Sequence, residues 1–473
     1  MIILPANTLS TSVYEIANSC RFEDGDTPVM TRTTETPTNS DKYTFSVWVK
    51  RGNLGLANSK IFSIQNGTYG EEKLEFNTDD IIWRQTAPSD GETNYERVTD
   101  RKFRDPSAWF HILIAYDSSD GTAGDRMKMY INGVRETSFS GTNNPSSNED
   151  SVINTASKTL TIAKLASGSG QHFDGYFAEM AFVDGVAHAV TDFGEFDSDS
   201  PTIWKPKDIS SGITWGNNGF WLDFEDSSAL GNDVSGNNND FSVSNLAATD
   251  QSSDSPTNNF ATLNPLAWTT GSGITFSEGN LKIANSASDW RPLMSTMAVT
   301  TGKWYCEVKV TAVGSASKYG IIDVLQYNDN GDLFYNLASG TRAWTYRAFE
   351  GKVYNDTNDS GGSSYGDSFT TNDIIGIYLD CDNNKVYWAK NGAVQNSGTG
   401  ISITDGYDYG FAFNIYNSTC EVNFGNPTWS LSSAVADDNG YGSFEYDPSA
   451  GTFDSASKDF YALCTKNLAE YGG

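Results

Sequence analysis

The chain has 473 residues, 38% hydrophobic and 13% aromatic, which suffices for two or three cores and is too apolar for a mainly disordered chain. Against 31 Lys and Arg stand 60 Asp and Glu, a net charge of -29 that repels phosphate backbones and argues against nucleic acid as a partner. The 44 glycines among many Asn, Asp, Ser and Thr mark frequent turns, and no stretch keeps a helical period long enough for an α-domain, so the fold class is all-β.

In chain order, the amino terminus Met-Ile-Ile-Leu-Pro-Ala-Asn lacks the basic region and long apolar core of a signal peptide. No segment reaches transmembrane length, so no membrane insertion is expected. From Cys20, strands alternate with polar loops. In Tyr43-Thr-Phe-Ser-Val-Trp-Val-Lys, the residues Tyr43, Phe45, Val47 and Val49 share one face and should be core. A first hairpin runs through Trp109-Phe-His-Ile-Leu-Ile-Ala-Tyr-Asp and Arg126-Met-Lys-Met-Tyr-Ile-Asn-Gly-Val, and strands at Thr159 and Gly175 complete a jelly-roll-sized domain over 1–199. Residues 200–269 form an Asn- and Ser-rich bridge with too few strands for a core of its own, which must pack on a sandwich or on a neighbouring chain. A second sandwich occupies 270–427, with a hairpin from Asp373 to Gly392, and a Gly- and Asp-rich tail fills 428–473. The expected architecture is two antiparallel β-sandwiches joined by a short β-containing bridge. Cys20, Cys306, Cys381, Cys420 and Cys464 show no zinc spacing and read as reduced thiols of a protein assembled in a cytoplasm.

Cys20-Arg-Phe-Glu-Asp-Gly, the Tyr43 strand, Trp109-Phe-His-Ile, Met129-Tyr-Ile-Asn-Gly-Val and Phe173-Asp-Gly-Tyr-Phe-Ala-Glu together resemble the laminin-G-like, concanavalin A-like jelly-roll family over residues 18 to 195. Gly302-Lys-Trp-Tyr-Cys-Glu-Val, Ser364-Tyr-Gly-Asp-Ser-Phe, Asn372-Asp-Ile-Ile-Gly-Ile-Tyr-Leu-Asp, Lys390-Asn-Gly and Val422-Asn-Phe-Gly resemble the SPRY, or B30.2-type, sandwich over 270 to 427. The combination, with the bridge and the terminal Ala-Leu-Cys-Thr-Lys-Asn-Leu, is similar to virion proteins of tailed bacteriophages. The resemblance implies a virion location, as a fibre or surface protein assembled in the host cytoplasm.

Concanavalin A-like sandwiches also include glycoside hydrolases, whose paired carboxylates lie on one strand face. The nearest run here, Glu195-Phe-Asp-Ser-Asp-Ser-Pro, lacks the final Glu and falls where a loop is expected, and Glu179 reads as a structural carboxylate. His111 alternates into a sheet, and His172 and His188 have no triad spacing around them. No catalytic residue is therefore assigned, and the chain is expected not to be an enzyme. Asp117, Asp120 and Asp125 in one loop, and Asp329 and Asp332 in another, cluster oxygens around glycine as calcium requires, although neither loop has EF-hand spacing. No other cofactor is expected. Ligand contact is assigned to Trp48, Trp83 and Tyr95 in the first domain and to Arg342, Trp344 and Arg347 in the loops of the second. The function expected is non-enzymatic attachment, with other virion proteins and a host surface glycan as partners. A homo-oligomer is expected, a trimer in preference, with the bridge and tail as assembly elements. The alternatives are a polysaccharide-degrading glycoside hydrolase and a capsid decoration protein without receptor binding.

Overall fold

The computed structural model describes residues 14–67, 70–86, 93–268, 273–288, 290–314, 317–326, 342–355 and 361–472. The fold is all-β, with two sandwiches of antiparallel sheets. The described residues divide into two compact units, the first ending at Thr257 and the second beginning at Asn258.

In the first unit, one eight-stranded sheet centres on Phe110–Asp117, Lys42–Arg51 and Gly175–Asp184, and a second carries Asp80–Thr86, Gly70–Asn77, Ser59–Asn66 and Thr159–Ile162. The alternation of the Lys42 strand holds: Tyr43, Phe45, Val47 and Val49 are fully buried between the sheets. Ile112, Ile114, Phe177 and Phe182 join them from the neighbouring strands. Two-residue turns at Asn132–Gly133 and, in the other unit, Asn391–Gly392 have both residues at positive φ (47° and 75°, 49° and 78°). That geometry matches the strand twist of a tight hairpin and explains why Asn-Gly occupies both.

The outer face of the first sheet is apolar as well. Trp48, Leu113, Ala178 and Val183 point away from the main core and are covered by Phe193, Trp204, Ile209 and Trp221. The segment read as a separate bridge is thus divided. Its residues to Thr257 belong to the first unit, and Asn258 onward to the second. The buried ion pair of Lys50 Nζ with Asp254 Oδ2 (2.6 Å) and the Trp109 Nε1–H bond to Asp254 Oδ1 (2.9 Å) fix the last part of this segment beside the sheet.

The second unit repeats the plan. A seven-stranded sheet holds Arg291–Val299, Tyr409–Ile415 and Lys318–Asp323, and a nine-stranded sheet holds Ser418–Asn423, Lys303–Ala312, Ile374–Asp380 and Lys385–Lys390. Trp304, Cys306, Val308, Ile377 and Trp388 fill the space between them. On the outer face Tyr305, Tyr378 and Tyr387 lie beneath Phe444, Phe453 and Phe460. The tail, read as a detachable assembly element, is therefore integral to this sandwich. Its Tyr461–Ala462 strand pairs in parallel with Lys303–Ala312, and its helix Thr465–Tyr471 stacks Tyr471 on Tyr461 at 4.1 Å. An aromatic sheet face needs a cover, and the tail supplies it. All five cysteines are free and buried.

Two consequences are measurable. Deleting 428–473, expected from sequence to leave the sandwiches folded, should instead expose Tyr305, Tyr378 and Tyr387 and abolish cooperative unfolding of the second unit, read as dye binding and a lost thermal transition. Phe453→Ala, which removes a ring 4.8 Å from Tyr378 and 5.2 Å from Tyr387, should cost about 3–5 kcal/mol in denaturant titration.

Candidate functional site

His111 lies on the covered outer face, between Trp48 (ring centroids 5.0 Å) and Trp204 (6.0 Å). Trp204 Nε1–H donates to its Nδ1 at 3.1 Å, and Ser46 Oγ is 2.7 Å from its Nε2. An indole can only donate, so Nδ1 must be the unprotonated nitrogen of the ring. The proton of the neutral imidazole then sits on Nε2 and is given to Ser46, the reverse of what a general base for a serine nucleophile requires. Burial pushes its pKa down to about 3, which keeps it neutral. His172 Nδ1 lies 3.2 Å from the Pro28 carbonyl oxygen and His188 Nδ1 2.9 Å from Asp192, so neither joins a serine or cysteine.

Glu179 sits at a bulge in Gly175–Asp184, at φ 46°, where the register against Lys42–Arg51 slips between Ala178 and Ala181. The slip turns its carboxylate into the cover: Trp221 Nε1–H donates to Oε2 at 2.7 Å and Tyr14 O–H to Oε1 at 3.1 Å. Burial raises its pKa to about 8. It pins two segments of the cover in place, the structural role read from sequence. The Glu195 run forms a two-stranded ribbon with Trp204–Pro206, where Lys205 lies 3.3 Å from Glu195 and 3.4 Å from Asp197.

The side chains assigned to ligand contact are mostly core. Trp83 is fully buried, packed on Tyr43 and Tyr116, and donates to Glu72 at 3.2 Å. Trp48 lies under the cover, and Tyr95 is buried with its hydroxyl 3.3 Å from Ser146 Oγ. Trp344 is buried against Tyr409. Arg342 pairs with Asp323 at 2.6 Å and lies over the Tyr407 ring, and Arg347 is held by Tyr354 and Glu350. Alternation names the face a ring is on; it does not say whether another segment covers that face. These residues therefore brace the sandwiches and do not form one surface.

Nor does the first Asp-rich loop gather its carboxylates. Asp117 pairs with Lys42 (3.0 Å), Asp120 with Lys128 (3.5 Å) and Asp125 with Arg135. Each charge is matched by a different cation, and the loop is a hairpin turn. Asp329 and Asp332 lie outside the described residues. Among the described residues, the carboxylates that do converge are Glu23, Asp24 and Asp174, whose oxygens lie within 4.8 Å of one another. Asp174 is buried, accepts the Asn53 N–H at 2.6 Å and the Asp24 N–H at 3.4 Å, and is pushed well above the usual carboxylate range by burial and then by its acidic neighbours. These three are the residues whose oxygen chemistry suits a hard divalent cation. Sequence spacing did not reveal them because Asp24 and Asp174 are 150 positions apart.

An open groove of about 710 Å³ in the first unit is lined by Glu35, Thr36, Thr214, Trp215, Asn217, Asn237, Asn238 and Asn239. Its walls are rigid for local reasons. Buried Asn218 pairs both ways with the Glu35 backbone, accepting at 2.6 Å and donating at 3.0 Å. Asn237 Nδ2 donates to the Gly216 and Gly219 carbonyls (2.7 and 2.9 Å), and Asn239 Nδ2 to those of Asn217 and Gly219 (2.9 and 2.7 Å). Asp233 anchors the loop by accepting from the N–H groups of Trp221, Ser235 and Asn239. Trp215 closes one side, stacked on Trp221 at 6.2 Å. Thr214, Asn217, Asn237 and Asn238 are exposed, and Glu35 is the one charged group among the described residues of the lining. From sequence this Asn-rich run read as part of a loose bridge. Its hydrogen bonds run to backbone carbonyls 18 to 22 positions away, which nothing in the run itself shows.

Residues 23–189 match the model of the concanavalin A-like lectin/glucanases superfamily, and residues 303–427 match that of the SPRY domain. Among solved structures the chain is similar to the SPRY domain of human HERC1, at 16% identity over 34% of this chain and 96% of that one, TM-score 0.28. It is similar also to the native heptameric SAP-like pentraxin of Limulus polyphemus (14% identity, 38% and 82% covered, TM-score 0.28). A third is domain 4 of AbnA, an extracellular arabinanase of Geobacillus stearothermophilus, in complex with arabinotriose (22%, 33% and 66%, TM-score 0.25). No curated protein matches the sequence. The two family matches suggest a binding or carbohydrate-related role. No helix among the described residues is long and apolar enough to cross a membrane.

Glu179 gives a pH test of the cover. Its folded pKa of about 8 lies above the ordinary 4.5, so its contribution to stability is full below the unfolded value and is lost as pH rises through 8. Glu179→Gln, which keeps an acceptor and carries no charge, should flatten that part of the stability–pH profile between pH 5 and 8 relative to the parent, measured by chemical denaturation.

Proposed function

We propose that the protein is a non-enzymatic surface protein of a tailed-phage virion, a fibre or related surface component, that contacts a neutral, hydroxyl-rich host glycan through the groove of its first sandwich. The groove carries this reading. Amide and hydroxyl side chains on a braced backbone can exchange hydrogen bonds with sugar hydroxyls, and the indole of Trp215 supplies an apolar wall. Glycosidase chemistry takes two carboxyl groups about 5–9.5 Å apart. Glu35 has no second carboxylate facing it among the described lining residues, which favours binding over hydrolysis. The order of the two sandwiches, similar to that of virion proteins, supports the particle setting.

On such a particle, repeated copies would convert weak single contacts into firm attachment, which suits an open groove with little enclosure. A trimer contacting other virion proteins is the assembly proposed, read by light scattering on the purified chain. The binding test is calorimetry with neutral oligosaccharides from the host envelope, on the parent and on a Thr214→Ala, Asn238→Ala double variant. Both positions are exposed, so the fold should be kept while affinity falls about tenfold, at about 0.5–1.5 kcal/mol per net hydrogen bond. Equal affinity in the variant would remove the groove from the reading. New reducing ends released from the polysaccharide would replace the reading with an enzyme.

A further inference from the structure

A second cavity, of about 260 Å³, lies in the first unit where Asn94–Thr99 and the edge strand Phe139–Asn143 meet Met127–Ile131 of the facing sheet. Arg97 and Arg135 both line it, with Glu136 as the one carboxylate among the lining residues, in a chain that is otherwise strongly acidic. Arg97 is 3% exposed, and every acceptor its guanidinium meets is neutral. Nε–H donates to the Met127 carbonyl (3.2 Å), and Nη1 to the Glu96 carbonyl (2.9 Å), Thr142 Oγ1 (3.0 Å) and the Asn143 carbonyl (3.3 Å). Nη2 donates to Asn144 Oδ1 (2.6 Å), and the Phe139 ring lies 5.6 Å away.

No carboxylate among the described residues pairs with Arg97. Burial and then the like charge of Arg135 hold its pKa below the usual arginine value. The acidic groups nearby are already matched. Glu136 gives Oε2 to Arg101 Nε–H (2.9 Å) and Oε1 to the N–H groups of Thr137 and Ser138 (3.2 Å each), and Asp125 pairs with Arg135. The result is one buried positive charge without a counter-charge, beside an open cavity whose rim carries a second guanidinium. A desolvated cation of this kind is unfavourable until an anion reaches it, and of its five N–H groups Arg97 keeps the second on Nη2, beyond the bond to Asn144, for an oxyanion to accept from.

We propose that this cavity is an oxyanion site, taking one carboxylate or sulfate group, either borne on a sugar or free as an inorganic ion. The oxyanion accepts from the Arg97 and Arg135 guanidinium groups, with the exposed Thr142 hydroxyl at the rim as a further donor. Its net effect is to neutralise Arg97, so binding and folding stability rise together.

The test is calorimetry on the full chain with glucuronate, inorganic sulfate, glucose and chloride at matched ionic strength. Saturable binding is expected for glucuronate and sulfate and none for glucose or chloride, together with a sulfate-dependent rise in the unfolding midpoint. Arg135→Gln, at an exposed rim position, should fold as the parent does and bind both oxyanions about tenfold more weakly, in keeping with the loss of a charge-assisted hydrogen bond. Glucuronate bound more tightly than sulfate assigns an acidic sugar, the reverse order assigns a free inorganic oxyanion, and both support the site. Absence of saturable binding for either oxyanion, or equal affinity in Arg135→Gln, overturns it. The site is independent of the groove, so the Thr214→Ala, Asn238→Ala variant should bind both oxyanions with parental affinity.

Discussion

In each sandwich one sheet is apolar on both faces, and the outer face has to be covered by chain that is itself mostly irregular. A sheet packed on both sides usually gains its second layer from helices or another sheet. Here the cover is loop, which has few ladder hydrogen bonds to hold it, so buried carboxylates do that work. Glu179 accepts from Trp221 and Tyr14 in the first unit. In the second, Glu307 accepts from the backbone N–H groups of Glu445 and Tyr446 as well as from Asn423 and Tyr305. A carboxylate has acceptor sites for about four donors, more than a backbone carbonyl offers, and suits a point where irregular chain must be gathered. The cost falls on the ionised form, since burial raises the pKa of Glu179 to about 8 and that of Glu307 to about 7.

This constraint decides where ligand can reach the molecule. Covering the outer faces removes from solvent the rings that a strand pattern offers for stacking, Trp48 in one unit and Tyr305, Tyr378 and Tyr387 in the other. The two openings described above are made by the cover and by strand ends. The groove is built by the covering segment itself, through Trp215, Asn217 and the 237–239 loop, against the Glu35 turn. The second cavity lies where the edge strands of the two sheets stop. In both cases rigidity comes from side-chain amides and guanidinium groups bonded to backbone carbonyls, which fixes neighbouring polar groups before any ligand arrives.

The strands were legible in the sequence because their information is local. Period-two alternation placed Tyr43, Phe45, Val47 and Val49 on one buried face, and the Asn-Gly pairs marked turns whose two residues both adopt positive φ. The position of His111 within an apolar strand likewise implied packing, and the structure adds the reason it stays neutral. The sites were not legible, because they depend on what lies opposite. Trp83 and Tyr95, assigned to ligand contact because a strand pattern does not show what meets each face, are both buried. Asp117, Asp120 and Asp125 are close in sequence but turn to three different cations, whereas Asp24 and Asp174 meet across 150 positions. The tail and bridge, poor in strands, read as separable pieces for the same reason: nothing in their own sequence shows the aromatic face they cover.

The charge distribution sets how the two openings differ. A net charge of -29 suggests that any anion is repelled, but at physiological salt the screening length is about 8 Å, so most of those carboxylates act weakly at a given cavity. Local composition then decides. Around the groove, neutral amides and hydroxyls with Glu35 disfavour an anionic ligand and leave hydrogen bonding to discriminate. Around Arg97 the neighbouring carboxylates are consumed by Arg101 and Arg135, and the unscreened, buried guanidinium dominates its surroundings. The same argument makes salt a discriminating variable. A neutral ligand in the groove should be indifferent to it, whereas the approach of an oxyanion past an acidic surface should be eased by screening, even as its final contact with a buried guanidinium is little affected.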